Sequence, residues 1–323
     1  MARRPNDSSD GARRSVTLGP SFERHDMSLT LRQLEVFLAL AEHEHVGRAA
    51  EMVHLSPSAT SSALLALETA VGRPLFDRSG LGLRLNADGR RFRAAARATL
   101  EQAREATALL RDDGGGRLVI GASTTIANYV IAPALATFAV DYPAAELRLD
   151  IGNTREIRDR LLDYALDLAY VEGPTSHPDL RATPWRDDRL VVFVAPNHPL
   201  AASRRLDGDD ARTATWVLRE EGSGTREVFV RALGDEVVRL TSVLEVASSV
   251  AVARAVEAGF GIGCLSSLVV RRDLDAGRLV ELQTPNWDLR RTLWRLERRD
   301  SAPGRLAESF AALLASDEGP VSA

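Results

Sequence analysis

The chain has 323 residues, 45% of them hydrophobic and 27% charged, enough for about two or three domains with real cores and too apolar for a disordered or fibrous chain. Its single cysteine, Cys264, excludes an intrachain disulfide and any Cys-x-x-Cys metal site, and no apolar run approaches the ~18 residues of a membrane span. The net charge of −4 argues against a general polyanion binder, but residues 1–111 carry 16 Arg against 13 acids while residues 112–323 carry 25 against 32. All 41 basic residues are arginine, as in a GC-rich coding sequence, so arginine content alone is a poor guide to partners.

Residues 1–27 are polar and Arg-rich without apolar periodicity and are expected to be a disordered extension, with no signal-peptide stretch and with Met27 as a candidate start. Helical spacing begins at Leu31 and continues through Leu34, Phe37, Leu38 and Ala41. A polar break at His43–His45 precedes a second short helix through Val46, Ala49, Ala50 and Val53. A third starts at Ser56-Pro57, an N-cap followed by a proline where its missing N–H costs nothing. This third helix is expected to turn Ala59, Ala63, Leu64 and Leu67 inward and Ser58, Thr60, Ser61 and Ser62 outward, ending at Val71-Gly72. Brief strands at Leu75-Phe76 and Leu83–Leu85 complete the pattern of a winged helix-turn-helix over 28–86, with a plain three-helix bundle as the alternative.

Asn86 caps a long helix predicted from Ala87 to about Arg111. Phe92, Ala96, Thr99, Ala103, Ala106 and Leu110 form a heptad seam, so residues 87–116 read as a dimerisation linker closed by the hinge Gly114–Gly116; a helix packed on its own domain is the alternative. Beyond the hinge, strands and helices alternate. Strands are expected at 118–120, 147–151, 168–171, 190–194, 216–218, 259–265 and 292–296, with helices at 126–140, 154–164, after Gly222, after Ala247, at 266–276 and at 305–314. The α/β fold expected here is a two-lobed sensor resembling periplasmic binding proteins: lobe I over 117–190, lobe II over 191–264, a return to lobe I over 265–316, and a tail at 317–323.

Small hydroxyl residues recur where these strands give way to helices: Ser123-Thr124-Thr125, Asn153-Thr154, Gly222-Ser223-Gly224-Thr225 and Ser248-Ser249. Helix N-termini present unpaired N–H groups, and open α/β sheets bind ligands beyond their strand carboxyl ends, so these segments are candidates for a small-anion site between the lobes. Arg226 would add a bidentate clamp and Glu172 an acceptor for an effector hydroxyl or amine. The plainer reading is that the hydroxyls only cap helices and that Arg226 pairs with Glu220 or Glu227.

Other patterns are weaker. Glu42-His43-Glu44-His45 lacks the spacing of a helical metal site, Gly222-Ser223-Gly224 is not a nucleophile elbow because Glu221 stands where its first glycine belongs, and no dinucleotide or Walker fingerprint is present. No cofactor, metal or catalysis is expected. Cys264 reads as a small buried hydrophobe.

The chain resembles the LysR-type transcriptional regulators at Leu31-Arg32-Gln33-Leu34-Glu35-Val36-Phe37, Ala49-Ala50, Leu55-Ser56-Pro57-Ser58-Ala59-Thr60-Ser61, Leu67-Glu68 and Pro74-Leu75-Phe76-Asp77-Arg78. The likeness resumes at Gly121–Tyr129, Gly152-Asn153-Thr154, Val171–Pro174, Glu221–Glu227 and Ala255–Ile262, and covers about 28–316 in the family's order. The sensor motifs are most similar to the subgroup of regulators of carbon fixation and sulfur-compound metabolism. The resemblance implies a cytoplasmic regulator of promoter DNA, a homodimer through 87–111 assembled into a homotetramer, a small effector, contact with RNA polymerase, and neither membrane association nor catalysis. For the DNA side it points to Ser56, Pro57, Ser58, Thr60, Ser61 and Ser62 at the third helix, with Arg32, Arg48, Arg78 and Arg84 on phosphates. Many relatives carry Gln or Arg after Ser61 where this chain has Ser62, and Glu after the second-lobe hydroxyl pair where it has Val250, so neither base readout nor effector identity transfers directly. A small-molecule carrier is the rival reading, against which the absent signal peptide and residues 28–85 both count.

Overall fold

A computed structural model of the chain describes residues 29–79, 82–108, 115–173, 175–234, 242–301 and 303–316. The expected extension 1–27, Leu110 of the seam, Gly114 of the hinge and the tail 317–323 lie outside them.

Three helices pack first: α1 (Leu31–His43), α2 (Val46–Met52) and α3 (Pro57–Val71). Thr30 and Gln33 form a reciprocal capping box on α1, His45 caps α2, and Ser56 caps α3 by accepting from the Ala59 N–H at 3.2 Å. The Glu-His-Glu-His segment is thereby structural, since Glu44 also accepts from the Leu85 N–H of the wing. The wing is an antiparallel pair, β1 (Phe76–Ser79) and β2 (Gly82–Leu85).

The long helix α4 (Ala87–Ala108) is capped by Asn86, whose Oδ1 accepts from Gly89 N–H at 2.8 Å. Its first two seam positions, Phe92 and Ala96, are occupied within its own domain. Ala96 and Leu100 are buried with the helix-turn-helix core, and the Phe92 ring lies 5.1 Å from that of Phe37. Of the other described seam positions, Thr99 and Ala106 are exposed and Ala103 is half-buried. The seam spacing fits both an intrachain and an interchain partner, and α1 takes the apolar end of it.

The sensor is one nine-stranded sheet in the order β4-β3-β5-β11-β6-β9-β7-β8, with β10 beside β6. In chain order these are β3 (Gly116–Ser123), β4 (Ala145–Gly152), β5 (Leu168–Glu172), β6 (Leu180–Val194), β7 (Thr215–Arg219), β8 (Ser242–Val246), β9 (Ile262–Ser266), β10 (Val280–Leu282) and β11 (Arg290–Arg298). Strand β3 is followed by α5 (Thr124–Ile126), a π turn (Ala127–Ile131) and α6 (Ala132–Asp141). The remaining helices are α7 (Thr154–Leu162), α8 (Gly208–Thr213), α9 (Gly224–Leu233), α10 (Ser249–Glu257), α11 (Ser267–Asp275) and α12 (Arg305–Ser316).

Two strands carry the chain between the lobes. Strand β6 pairs with β11 over 180–189 and with β9 over 190–193, and β11 pairs onward with β5. Lobe I buries α6 and α12 on one sheet face and α7 on the other; lobe II likewise has a core on each face. The expected return at 265 is displaced. Val269, Val270 and Leu279 pack with Val191, Phe193 and Val256 of lobe II, and β10 pairs with the lobe II end of β6, so the return is made by β11. Among the described residues, no helix is long and apolar enough to cross a membrane.

Candidate functional site

Two regions hold the residues singled out by sequence. At the first turn of α3, Ser56, Pro57, Ser58, Ser61 and Ser62 are all exposed. Ser56 is engaged by its capping bond and by a 3.0 Å contact between its hydroxyl and that of Ser58. Thr60 departs from expectation: it is fully buried and donates to the Ser56 carbonyl at 3.0 Å, while Ala59 faces out. The register explains the exchange. Thr60, Leu64, Leu67 and Val71 follow spacings of four, three and four, and a threonine that returns its hydroxyl to its own helix is buried without an unpaired polar group.

The arginines expected on phosphates divide. Arg48 and Arg84 are exposed on α2 and β2. Arg32 pairs with Glu35 at 2.8 Å and also donates to the Val53 carbonyl, tying α1 to the end of α2. The Arg78 side chain lies outside the described residues.

The second region is the junction between the lobes. Glu172, the last residue of β5, is buried, and its carboxylate accepts from Ser123 of lobe I at 3.0 Å and from Thr225 of lobe II at 2.8 Å. Arg291 on β11 donates to the same carboxylate at 3.0 Å and to the Thr225 hydroxyl at 3.1 Å. The far side of Arg291 meets Asp188 on β6 at 2.7 Å, which also accepts from Ser266 at 2.9 Å. Burial alone would raise the Glu172 pKa, but Arg291, the hydroxyls of Thr125 and Thr225, and the more distant Arg219 together bring it down to about 2. The junction thus stabilises a buried negative charge.

The backbone closes around this carboxylate. Thr154 donates to the Glu172 carbonyl at 3.1 Å, and the Arg155 N–H reaches the Gly222 carbonyl at 3.2 Å. Gly222 has φ +88°, which favours glycine, and Gly224 approaches so closely that a Cβ there would lie 2.0 Å from the Glu172 carbonyl oxygen. Ser223 is buried at the N-cap of α9 without a side-chain capping bond.

The structure brings Ser123, Thr125, Thr154, Glu172, Ser223, Gly224 and Thr225 together, and places others differently. Thr124 donates to the Gly152 carbonyl at 3.3 Å, and Asn153 caps α7 in a box with Glu156. Ser248 is an exposed cap of α10, whereas Ser249 is buried and accepts from Arg219 at 2.6 Å. Arg226 is not a clamp on the junction: it donates to the Arg219 carbonyl at 3.0 Å and pairs with Glu245 of β8, rather than with Glu220 or Glu227. One step along α9 from Thr225 turns a side chain by about 100°, toward β7 and β8. Sequence reading missed Arg291, Asp188 and Arg219, the last of which holds Glu220 by two bonds of 2.8 and 2.9 Å.

Cys264 is buried on β9, and burial pushes its thiol up to about 12, so thiolate chemistry is suppressed near neutral pH.

Residues 31–90 match the pattern described as "Bacterial regulatory helix-turn-helix protein, lysR family", and residues 111–318 match "LysR substrate binding domain". The chain is a LysR-type transcriptional regulator. HTH-type transcriptional regulator YeiE of Escherichia coli K12 is 40% identical over 273 residues, 84% of this chain and 92% of that protein. The RuBisCO operon transcriptional regulator of Allochromatium vinosum is 32% identical over 294 residues, 90% of this chain and 97% of the relative. Among solved structures, the regulatory domain of Synechocystis CcmR in complex with 2-PG matches with a TM-score of 0.58 and 26% identity, covering 65% of this chain and all of that one. Two motifs the sequence offered separately, the winged helix-turn-helix and the two-lobed sensor, therefore belong to one LysR-type architecture, with DNA-binding and effector-binding parts in a single chain.

Proposed function

We propose that this LysR-type regulator senses a small anion at the junction of its lobes and transmits the result to the exposed first turn of α3. The observation that carries the reading is the Glu172 carboxylate itself: fully buried, yet held ionised by Ser123, Thr225 and Arg291. A donor set that stabilises one buried carboxylate suits the anionic group of an effector. The 2-PG bound by the CcmR regulatory domain is consistent with that class.

On the DNA side, Ser58, Ser61, Ser62 and the cap Ser56-Pro57 supply short polar contacts to a groove, with Arg48 and Arg84 on flanking phosphates. Thr60 and Arg32 act within the protein. Pairing of two chains through the C-terminal part of α4, assembly into a tetramer and a cytoplasmic location complete the reading, supported by the exposed end of the seam and by the family's DNA-binding role.

The test is a titration of the full chain into labelled duplex from beside its own gene, with random duplex as competitor. Sulfate, phosphate and small carboxylates are exchanged for chloride at constant ionic strength. Selective binding shifted by one of these anions in wild type and not in Thr225→Val supports the site. Selective binding that none of them shifts removes the anion reading and leaves the regulator.

A further inference from the structure

Charge at the lobe junction does not balance in favour of an added anion. One buried guanidinium, Arg291, lies between two buried carboxylates, Glu172 and Asp188, and the nearby Arg219 is already matched by Glu220. An anion entering beside an ionised Glu172 would leave further uncompensated negative charge in a site closed to water. Space is equally short, because Gly224 of lobe II rests directly on the Glu172 backbone. The guanidinium is engaged on both sides, Nη1 donating to Glu172 and Thr225 and Nη2 lying 2.7 Å from the Asp188 carboxylate.

We propose that Glu172 is an internal competitor of the effector: its carboxylate and the effector's anionic group are mutually exclusive occupants of the donors Ser123, Thr225 and Arg291. This rests on the anion reading above and adds its control. With Glu172 seated, one carboxylate bridges Ser123 of lobe I, Thr225 of lobe II and the crossing strand β11, and the lobes are held together. An anion that captures Thr225 and Arg291 must first remove Glu172 from them, which breaks the side-chain link between α9 and β5 and leaves the Arg155–Gly222 backbone bond and the Gly224 contact to hold the lobes. Binding and loss of that side-chain link are then one event, and affinity is set by the difference between the effector's anion and the protein's own carboxylate.

Glu172→Gln removes the charge at nearly constant shape, leaving Arg291 to Asp188 and to any incoming anion. The experiment is isothermal titration of sulfate and, separately, phosphate into the full-length protein, wild type against Glu172→Gln, with thermal unfolding to verify that both are folded. The expected result is binding to the variant at least about tenfold tighter than to wild type, the scale of one charge-assisted hydrogen bond. Equal or weaker binding to a folded Glu172→Gln overturns the competition and, if anions still shift DNA binding of the wild type, leaves the anion reading standing. No binding to either protein, with no anion response on DNA, overturns both. Should Glu172→Gln fail to fold, Glu172→Asp serves instead: it keeps the charge but withdraws the carboxylate from Thr225, and is expected to bind sulfate more tightly than wild type by a smaller factor. Binding to Glu172→Asp no tighter than to wild type overturns the competition.

Discussion

The first turn of α3 and the first turn of α9 are built from the same residues, serines and threonines at a helix N-terminus, and end in opposite conditions. On α3, Ser58, Ser61 and Ser62 face solvent. On α9, Ser223 and Thr225 are buried, and Thr225 is bonded to Glu172 and Arg291. The same hydroxyl chemistry is therefore open to solvent in one place and bonded to an internal carboxylate in the other. The tertiary neighbour decides which.

The largest effect is expected at Arg291. Arg291→Ala would strand Glu172 and Asp188 as buried unpaired carboxylates, with an expected loss of about 3–5 kcal/mol of stability in urea unfolding at neutral pH. No substitution of a single α3 hydroxyl should approach that figure.

Acid sharpens the contrast next. Glu172 has a folded-state pKa of about 2, below its ordinary value of 4.5, so its stabilisation is full above about pH 4.5 and is lost as pH falls toward 2, about 3 kcal/mol in all. Asp167, which accepts from the Val119 N–H at 2.7 Å, runs the other way: burial raises its pKa from 3.8 to about 6, so its contribution is present at low pH and lost as pH rises through 6. Unfolding curves from pH 3 to 7 should flatten at the acid end in Glu172→Gln and at the upper end in Asp167→Asn. Parallel curves for wild type and both variants would contradict this assignment.

At the proposed DNA surface, Ser61→Asp would set a negative charge against phosphates. It is expected to weaken duplex binding by about 2 kcal/mol, or near thirtyfold, with the unfolding midpoint unchanged. Thr60→Val, one residue away but buried, should do the reverse on a smaller scale: a stability change within about 1 kcal/mol and no change in DNA affinity, read by the same anisotropy and melting measurements.

What was legible in the sequence follows from the same contrast. Helices α1 to α3 and the strands of both lobes announce themselves by periodicity, because one face of each is buried and apolar. The first part of β6 does not: residues 180–189 include Pro184, Trp185, Arg186, Asp187, Asp188 and Arg189, a polar run with no apolar alternation, yet this segment crosses between the lobes and brings Asp188 to the junction. Arg290 and Arg291 are adjacent and chemically identical, but strand alternation sends Arg290 to solvent, paired with Asp288, and Arg291 into the core. Nothing local marks which is which, since the deciding partner, Glu172, is 119 residues away in the chain. Arg226 misled for the same reason: its position at the start of α9 suggested a clamp, and the partner that claims it, Glu245, stands on a later strand.

The most direct measurement is a crystal structure of the full-length protein grown with sodium selenate, read by anomalous scattering at the selenium edge. A selenate peak is expected within hydrogen-bond reach of Thr225 and Arg291, with the Glu172 carboxylate moved away from both. A peak elsewhere, or an undisturbed Glu172 beside a bound anion, would contradict it.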